Sequence, residues 1–219
     1  MTTALIFDMN GTMVDDMSYH AEAWRTMING ELQGNLSPEE VKREMYGKNE
    51  EVLERIFGKN KFSWEEQSRI SMQKEKAYQT AFRPHLTLIE GLPQFLQKAY
   101  QHNIPMAIGT AAIPFNIDFV LDNLDLRHYF KSIISADDVE KSKPHPETFL
   151  KAASALGVTP DDCIVFEDSP KGIETALNAG MRAIAVTTMH NKEDFKQYNN
   201  ILLFIKDYND EKLQQFIFG

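Results

Sequence analysis

The sequence predicts an α/β fold, a doubly wound and mostly parallel sheet that carries an inserted all-helical domain. Short apolar runs rich in β-branched residues recur along the chain, and most are continuous rather than alternating, as suits parallel strands covered on both faces. Helical stretches separate the later runs, the alternation expected of a doubly wound sheet. Between the first run and the second, residues from about 15 to 85 hold helix signals and no convincing strand.

The strand runs are Thr3–Phe7, Ile104–Ile108, Ser132–Ser135, Cys163–Phe166, Ala183–Thr187 and Ile201–Ile205. In the helical block Asp16 precedes a stripe of Ala21, Trp24, Met27 and Ile28, and a capping box joins Ser37 to Glu40. Val52, Leu53, Ile56 and Phe57 run to a stop at Gly58, and a second capping box joins Ser63 to Glu66. Beyond the block, Leu92, Phe95, Leu96 and Ala99 form one apolar stripe, and Phe149, Leu150, Ala153 and Leu156 another, which ends at Gly157. Ser169-Pro170 reads as N-cap and first helical residue, and Gly180 as the stop. The expected division is a sheet domain over 1–14 and 85–219, with a helical domain over 15–84 inserted after the first strand.

A chain of 219 residues with 42% hydrophobic and 25% charged residues has the composition of an ordinary globular protein. Its net charge of −9 argues against nucleic acid or an anionic membrane as partner, while leaving room for a small anion in a local positive pocket. Cys163 is the single cysteine and sits in an apolar run, so it reads as a core residue and not a reactive thiol. No secretory leader and no apolar run of the roughly 18 residues a membrane span needs is recognised. A cytoplasmic protein, monomer or weak dimer, is expected.

Ligands of open α/β sheets sit beyond the carboxyl ends of the strands. The first strand ends on Asp8, then Met9-Asn10-Gly11-Thr12; the second on Gly109-Thr110-Ala111; the fourth on Glu167-Asp168-Ser169. Lys143 lies between the third and fourth, before a proline-rich turn that opens a helix. Three carboxylates cannot crowd together ionised without a cation, and hard oxygen donors favour Mg²⁺. A lysine and helix-start amides would hold a phosphate, Thr110 would bond its oxygens, and Asp8 is the candidate nucleophile. Gly11 allows a sharp exit from the strand. Singly, each residue has a plainer reading: a strand-end aspartate is commonly a helix cap and a lysine is commonly solvated. Adjacent Glu167 and Asp168 would ordinarily face opposite sides of a strand, with Asp168 free to cap the next helix. Their occurrence together, in order at successive strand ends, is what favours a catalytic site.

The segments "FDMNGTMVDD", "IGTA", "KSKPHPETF" and "FEDSPKGIETALNAGM" resemble the four motifs of the haloacid dehalogenase superfamily. The helical insertion resembles its type-one cap, and the overall pattern is similar to the branch that holds β-phosphoglucomutase and sugar-phosphate phosphatases. The resemblance implies that Asp8 is the nucleophile and also a metal ligand. It implies that the Asn10 carbonyl and Asp168 side chain bind Mg²⁺, that Glu167 assists at the metal, and that Thr110 and Lys143 bind the phosphoryl group. Gly11, Thr12 and Ala111 would border the substrate, a small phosphorylated metabolite.

Most phosphotransferases of this family carry aspartate at position 10, as general acid and then base. Asparagine preserves a carbonyl ligand but cannot donate and recover a proton, help typically worth about 10² to 10⁴ in rate. Asn10 is then an engineered replacement, a natural residue with another proton source, or the mark of a phospholigand-binding protein. A halide-displacing enzyme needs neither the acid nor a metal, and the Glu167-Asp168 pair weighs against it.

In the helical domain His20 and Trp24 share a helix face and match mutase positions, with a hinge histidine beside a packing tryptophan as the equal alternative. Gly47 would let backbone approach a ligand, and Lys48 and Lys74 offer positive charge. Glu50 falls where the mutase pattern has an arginine for a second phosphate, so a phosphatase is favoured over a hexose-phosphate mutase. His190 reads as a surface histidine.

Overall fold

The structure is a computed structural model and describes residues 4–219. Among them six strands form one parallel sheet: β1 (Ala4–Phe7), β2 (Met106–Gly109), β3 (Ser132–Ile134), β4 (Cys163–Glu167), β5 (Arg182–Val186) and β6 (Ile201–Ile205). Their order is β3-β2-β1-β4-β5-β6, with β1 paired to β2 and β4. The expected doubly wound sheet is thus present, and its switch point falls between β1 and β4, where the chain, having run outwards through β2 and β3, returns to the other side of β1.

Strand limits differ from expectation for local reasons. Thr3 lies outside the described residues. The second strand starts at Met106, not Ile104, because Pro105 has no N–H to give the ladder; its carbonyl instead accepts from Leu5 N at 2.9 Å. Ser135 leaves β3 because its hydroxyl caps the turn at Ala136–Asp138, accepting from Asp137 N. The fourth strand extends through Glu167 and the fifth spans Arg182–Val186.

Alternation sends successive residues to opposite faces. Ala4, Ile6, Ala107, Val165 and Ala183 pack with Phe149, Ala153, Ile173 and Ala176 on one face. On the other, Phe7 stacks on Phe166 at 4.7 Å, with Phe95 and Tyr208 closing round them.

The chain divides into two compact units, Asp16–Leu86, and Thr87–Gly219 together with the segment before Asp16. The first contains α1 (Met17–Thr26), continued as a π-helical turn over Met27–Glu31, then α2 (Pro38–Glu44), α3 (Asn49–Phe57) and α4 (Trp64–Phe82). Both capping boxes form: Ser37 and Ser63 hydroxyls accept from Glu40 N and Glu66 N, whose carboxylates accept in return. Trp24, Met27, Ile28, Val41, Val52, Leu53 and Ile70 make this unit's own apolar core. The second unit supplies α5 (Leu92–Gln101), α6 (Pro114–Asn123), α7 (Glu147–Leu156), α8 (Pro170–Asn178) and α9 (Glu211–Phe218). Cys163 is a buried free thiol, and burial pushes its pKa up to about 11.

Candidate active site

β1 and β4 are neighbours in register, Phe7 opposite Phe166, so the residues that follow each strand emerge side by side. Asp8 N donates to the Phe166 carbonyl at 3.0 Å, one residue before Glu167. Lys143, 135 residues along the chain from Asp8, places its ammonium 2.8 Å from Asp8 Oδ1 and 2.7 Å from Glu167 Oε1. The same ammonium lies 4.6 Å from the Phe149 ring centre. Asp8, Glu167, Asp168 and Lys143 are all buried.

Glu167 and Asp168 converge although adjacent residues of a strand point apart. β4 ends at Glu167, and the chain turns there into α8, so Asp168 no longer obeys the alternation. Ser169 caps α8, its hydroxyl accepting from Gly172 N at 3.0 Å while donating to Glu167 Oε2 at 2.9 Å. Ser169 N also donates to Oε2, so Glu167 is gripped by Ser169 on one oxygen and Lys143 on the other. Gly172 admits this carboxylate: a Cβ there would lie 1.8 Å from Glu167 Cδ. Gly11, at φ +75°, is equally constrained, for a Cβ would lie 2.2 Å from Asp168 Oδ2. Thr12 Oγ1 reaches Asp168 Oδ1 at 3.4 Å.

One ligand oxygen from each of Asp8, Glu167 and Asp168 lies within 4.8 Å of the others. Three buried carboxylates face one ammonium, an excess of negative charge that a hard divalent cation would neutralise; the donors fit Mg²⁺. The crowding of charge shifts the pKa values of these groups. Burial, with repulsion from Glu167, raises Asp8 to about 6 despite Lys143. Burial, then Glu167 and Asp8, hold Asp168 well above the ordinary carboxylate range. Burial opposes the charge on Lys143, but Asp8 and Glu167 together outweigh it and raise its pKa.

Thr110 leaves β2 buried, its hydroxyl accepting from Ala112 N at 3.1 Å and its amide bonded to the Ile134 carbonyl. Ala111 is exposed and Asn10 half-buried. The remaining candidates lie in the helical unit. His20 Nδ1 is 2.7 Å from Lys74 Nζ, and its ring stacks on Tyr78 at 3.7 Å. Lys74 also donates to Glu75 Oε1 at 3.0 Å and is buried, as is Trp24 in the apolar core. Gly47 takes φ +79° before Lys48, whose amide is capped by Glu51. His190 is half-exposed, 3.5 Å from Asp194. Ser169 was legible in the sequence as a cap but not as a Glu167 clamp, and Gly172 carried no signal beyond its place in the motif.

A family model described as "Haloacid dehalogenase-like hydrolase" matches residues 5–186. Fructose-1-phosphate phosphatase YqaB of Escherichia coli is 34% identical, covering 83% of this chain and 95% of its own. Beta-phosphoglucomutase of Bacillus subtilis is 32% identical, covering 84% of this chain and 82% of its own. The crystal structure of a HAD hydrolase, family IA, variant 3, from Entamoeba histolytica superposes with TM-score 0.86 at 30% identity, over 98% of this chain and 97% of that one. The Asp8 strand, the Lys143 turn and the paired carboxylates Glu167 and Asp168 therefore sit in a chain that belongs to the haloacid dehalogenase-like hydrolases.

Proposed function

We propose that the chain is a Mg²⁺-dependent phosphatase acting on a small phosphate monoester, foremost a sugar phosphate, through an aspartyl-phosphate on Asp8. The observation that carries this reading is the convergence of Lys143 on Asp8 and Glu167, beside Asp168, from three distant segments. The named activities of the relatives, a fructose-1-phosphate phosphatase and a β-phosphoglucomutase, support a phosphorylated sugar as substrate.

In this mechanism the Asp8 carboxylate attacks phosphorus, and the bond from phosphorus to the ester oxygen breaks. The bonding pair stays on the leaving oxygen, which takes a proton from solvent, to which the water that attacks in the next step returns one. Water then attacks the phosphoryl group, releasing inorganic phosphate and returning Asp8. Lys143 keeps its charge in a buried setting and faces the oxygens of the phosphoryl group, and Thr110 donates to them. Asp8, Asp168, Glu167 and the Asn10 carbonyl would hold Mg²⁺, which when bound neutralises phosphate charge and admits an anionic nucleophile. Asn10 cannot shuttle the proton of the leaving oxygen, so turnover is slowed by about 10² to 10⁴ relative to a carboxyl there.

The test is a phosphate-release screen of the Asn10→Asp variant beside the unaltered chain, with and without Mg²⁺. A gain of at least roughly tenfold is expected, abolished by chelation. No gain across a broad panel would favour a phospholigand-binding protein, and metal-independent halide release from a haloacid would favour a halide-displacing one. A mutase is disfavoured because Glu50 stands where that pattern needs an arginine for a second phosphate.

A further inference from the structure

Three consecutive carbonyls just after the Asp8 strand are each held by a different, distant segment. The Gly11 carbonyl accepts from Thr188 Oγ1 at 2.7 Å. The Thr12 carbonyl accepts from the Tyr208 hydroxyl at 3.0 Å. The Met13 carbonyl accepts from Ile89 N at 2.9 Å. Thr188 follows β5, Tyr208 follows β6, and Ile89 leads into α5. Tyr208 closes the brace, because its own amide donates to the Glu90 carbonyl at 2.9 Å.

The loop already has internal bonds, Gly11 N to Val14 O and Met13 N to Met9 O, both at 2.8 Å. What the outside donors add is the orientation of the peptide planes next to Asn10. That orientation has little slack, since Gly11 lies against Asp168 so closely that no Cβ fits between them. Tyr208 is fully buried, and its ring centre lies 6.4 Å from Phe7 and 5.6 Å from Phe166. Those are the residues immediately before Asp8 and Glu167, so one side chain touches both carboxylate-bearing strands and grips the loop between them. Burial keeps its hydroxyl protonated, hence a permanent donor. Thr188 and Tyr208 both lie beyond the stretch that the family model matches, which ends at residue 186.

We propose that Thr188 and Tyr208 are positioning residues: by fixing the Gly11 and Thr12 peptides they aim Asp8 and the Asn10 carbonyl at the metal and phosphoryl group. The inference rests on the reading of Asp8 as nucleophile. A misplacement near 1 Å at a reacting group can cost about a hundredfold in rate, so loss of one brace is enough to be measured.

The experiment compares Tyr208→Phe, Thr188→Val and Thr188→Ser, each in the present chain and in the Asn10→Asp variant. Turnover is followed with para-nitrophenyl phosphate, and Mg²⁺ binding alone by calorimetry. Tyr208→Phe and Thr188→Val should lower kcat about tenfold with KM within about twofold, and weaken Mg²⁺ binding at least about threefold. Thr188→Ser keeps the donor and should restore both. Thr188 is half-exposed, so its variants fold even if Tyr208→Phe does not. Unchanged Mg²⁺ affinity and kcat in Thr188→Val, or a serine variant as impaired as the valine one, would overturn the proposal. If the Asn10→Asp chain with Thr188 and Tyr208 intact releases no phosphate, the phosphatase reading fails instead. The Mg²⁺ titration then still decides whether the brace positions the site.

Discussion

Replacing Lys143 by methionine keeps most of the side chain's length and its packing on Phe149 while deleting the charge that Asp8 and Glu167 share. Two hydrogen bonds to ionised partners vanish, at 2.8 and 2.7 Å. At about 1.5–3 kcal/mol each they set a ceiling near 3–6 kcal/mol. Asp8 recovers part of this by binding a proton, since its pKa is already about 6 and rises further once the ammonium is gone. A net loss of about 3–4 kcal/mol at neutral pH is expected, in line with stripping one partner from a buried pair. For a chain of this size that is a fall of roughly 10 °C in melting temperature.

Urea unfolding followed by far-ultraviolet circular dichroism measures the loss. Tryptophan fluorescence does not, because both tryptophans, Trp24 and Trp64, belong to the helical unit. A carboxyl whose folded pKa is raised stabilises below its unfolded pKa, and this is lost as pH rises through the folded value. The penalty in the variant should therefore shrink on acidification to about pH 5. Mg²⁺ should shrink it too, by supplying the missing positive charge. A loss under about 1 kcal/mol at neutral pH, or one indifferent to both pH and Mg²⁺, would refute the charge-sharing argument.

Two further outcomes follow from the same geometry. Gly172→Ala would ordinarily favour a helix by about 1 kcal/mol, yet here the new methyl displaces the Glu167 carboxylate. We expect a destabilisation of about 1–3 kcal/mol by calorimetry together with slowed phosphate release, and a more stable, equally active variant would contradict it. His20 is held neutral, its pKa lowered to about 3 by burial and by Lys74 at 2.7 Å, with Asp16 at 3.7 Å, Glu75 at 3.8 Å and the Tyr78 ring around it. A depressed histidine stabilises above its unfolded pKa of 6.5, and the contribution drains away as pH falls towards 3. Trp24 fluorescence in urea should show the helical unit losing about 2 kcal/mol between neutral pH and about pH 5, a loss that His20→Phe abolishes. A pH-independent midpoint in the unaltered chain would show that His20 charges freely.

The strand runs were legible because parallel strands buried on both faces need continuous apolar residues, and the helices of the inserted block announced themselves through Ser37 and Ser63. Asp8, Lys143, Glu167 and Asp168 were legible as candidates because a parallel sheet brings its strand ends to one side. Other features were not. Glu167 and Asp168 looked destined for opposite faces until the end of β4 turned Asp168 inwards. Lys74 looked like a helix lysine available to solvent or substrate, yet its ammonium is committed to His20, 54 residues away, and to Glu75. Thr188 and Tyr208 carried no signal, since neither their spacing nor their type marks them as partners of Gly11 and Thr12.

Periodicity, caps and turn residues act over a few neighbours, so the sequence by itself determined the sheet, the helical insertion and the types of residue gathered at the strand ends. The tertiary structure alone decided which of those residues touch. It set Lys143 between Asp8 and Glu167, gave Gly11 and Gly172 their close approaches to carboxylates, and bonded the loop after Asp8 to donors in the segments that follow β5 and β6. Hydrogen bonds and charge pairs between segments more than a hundred residues apart depend on distances of about 3 Å. Only the packed chain sets distances of that kind.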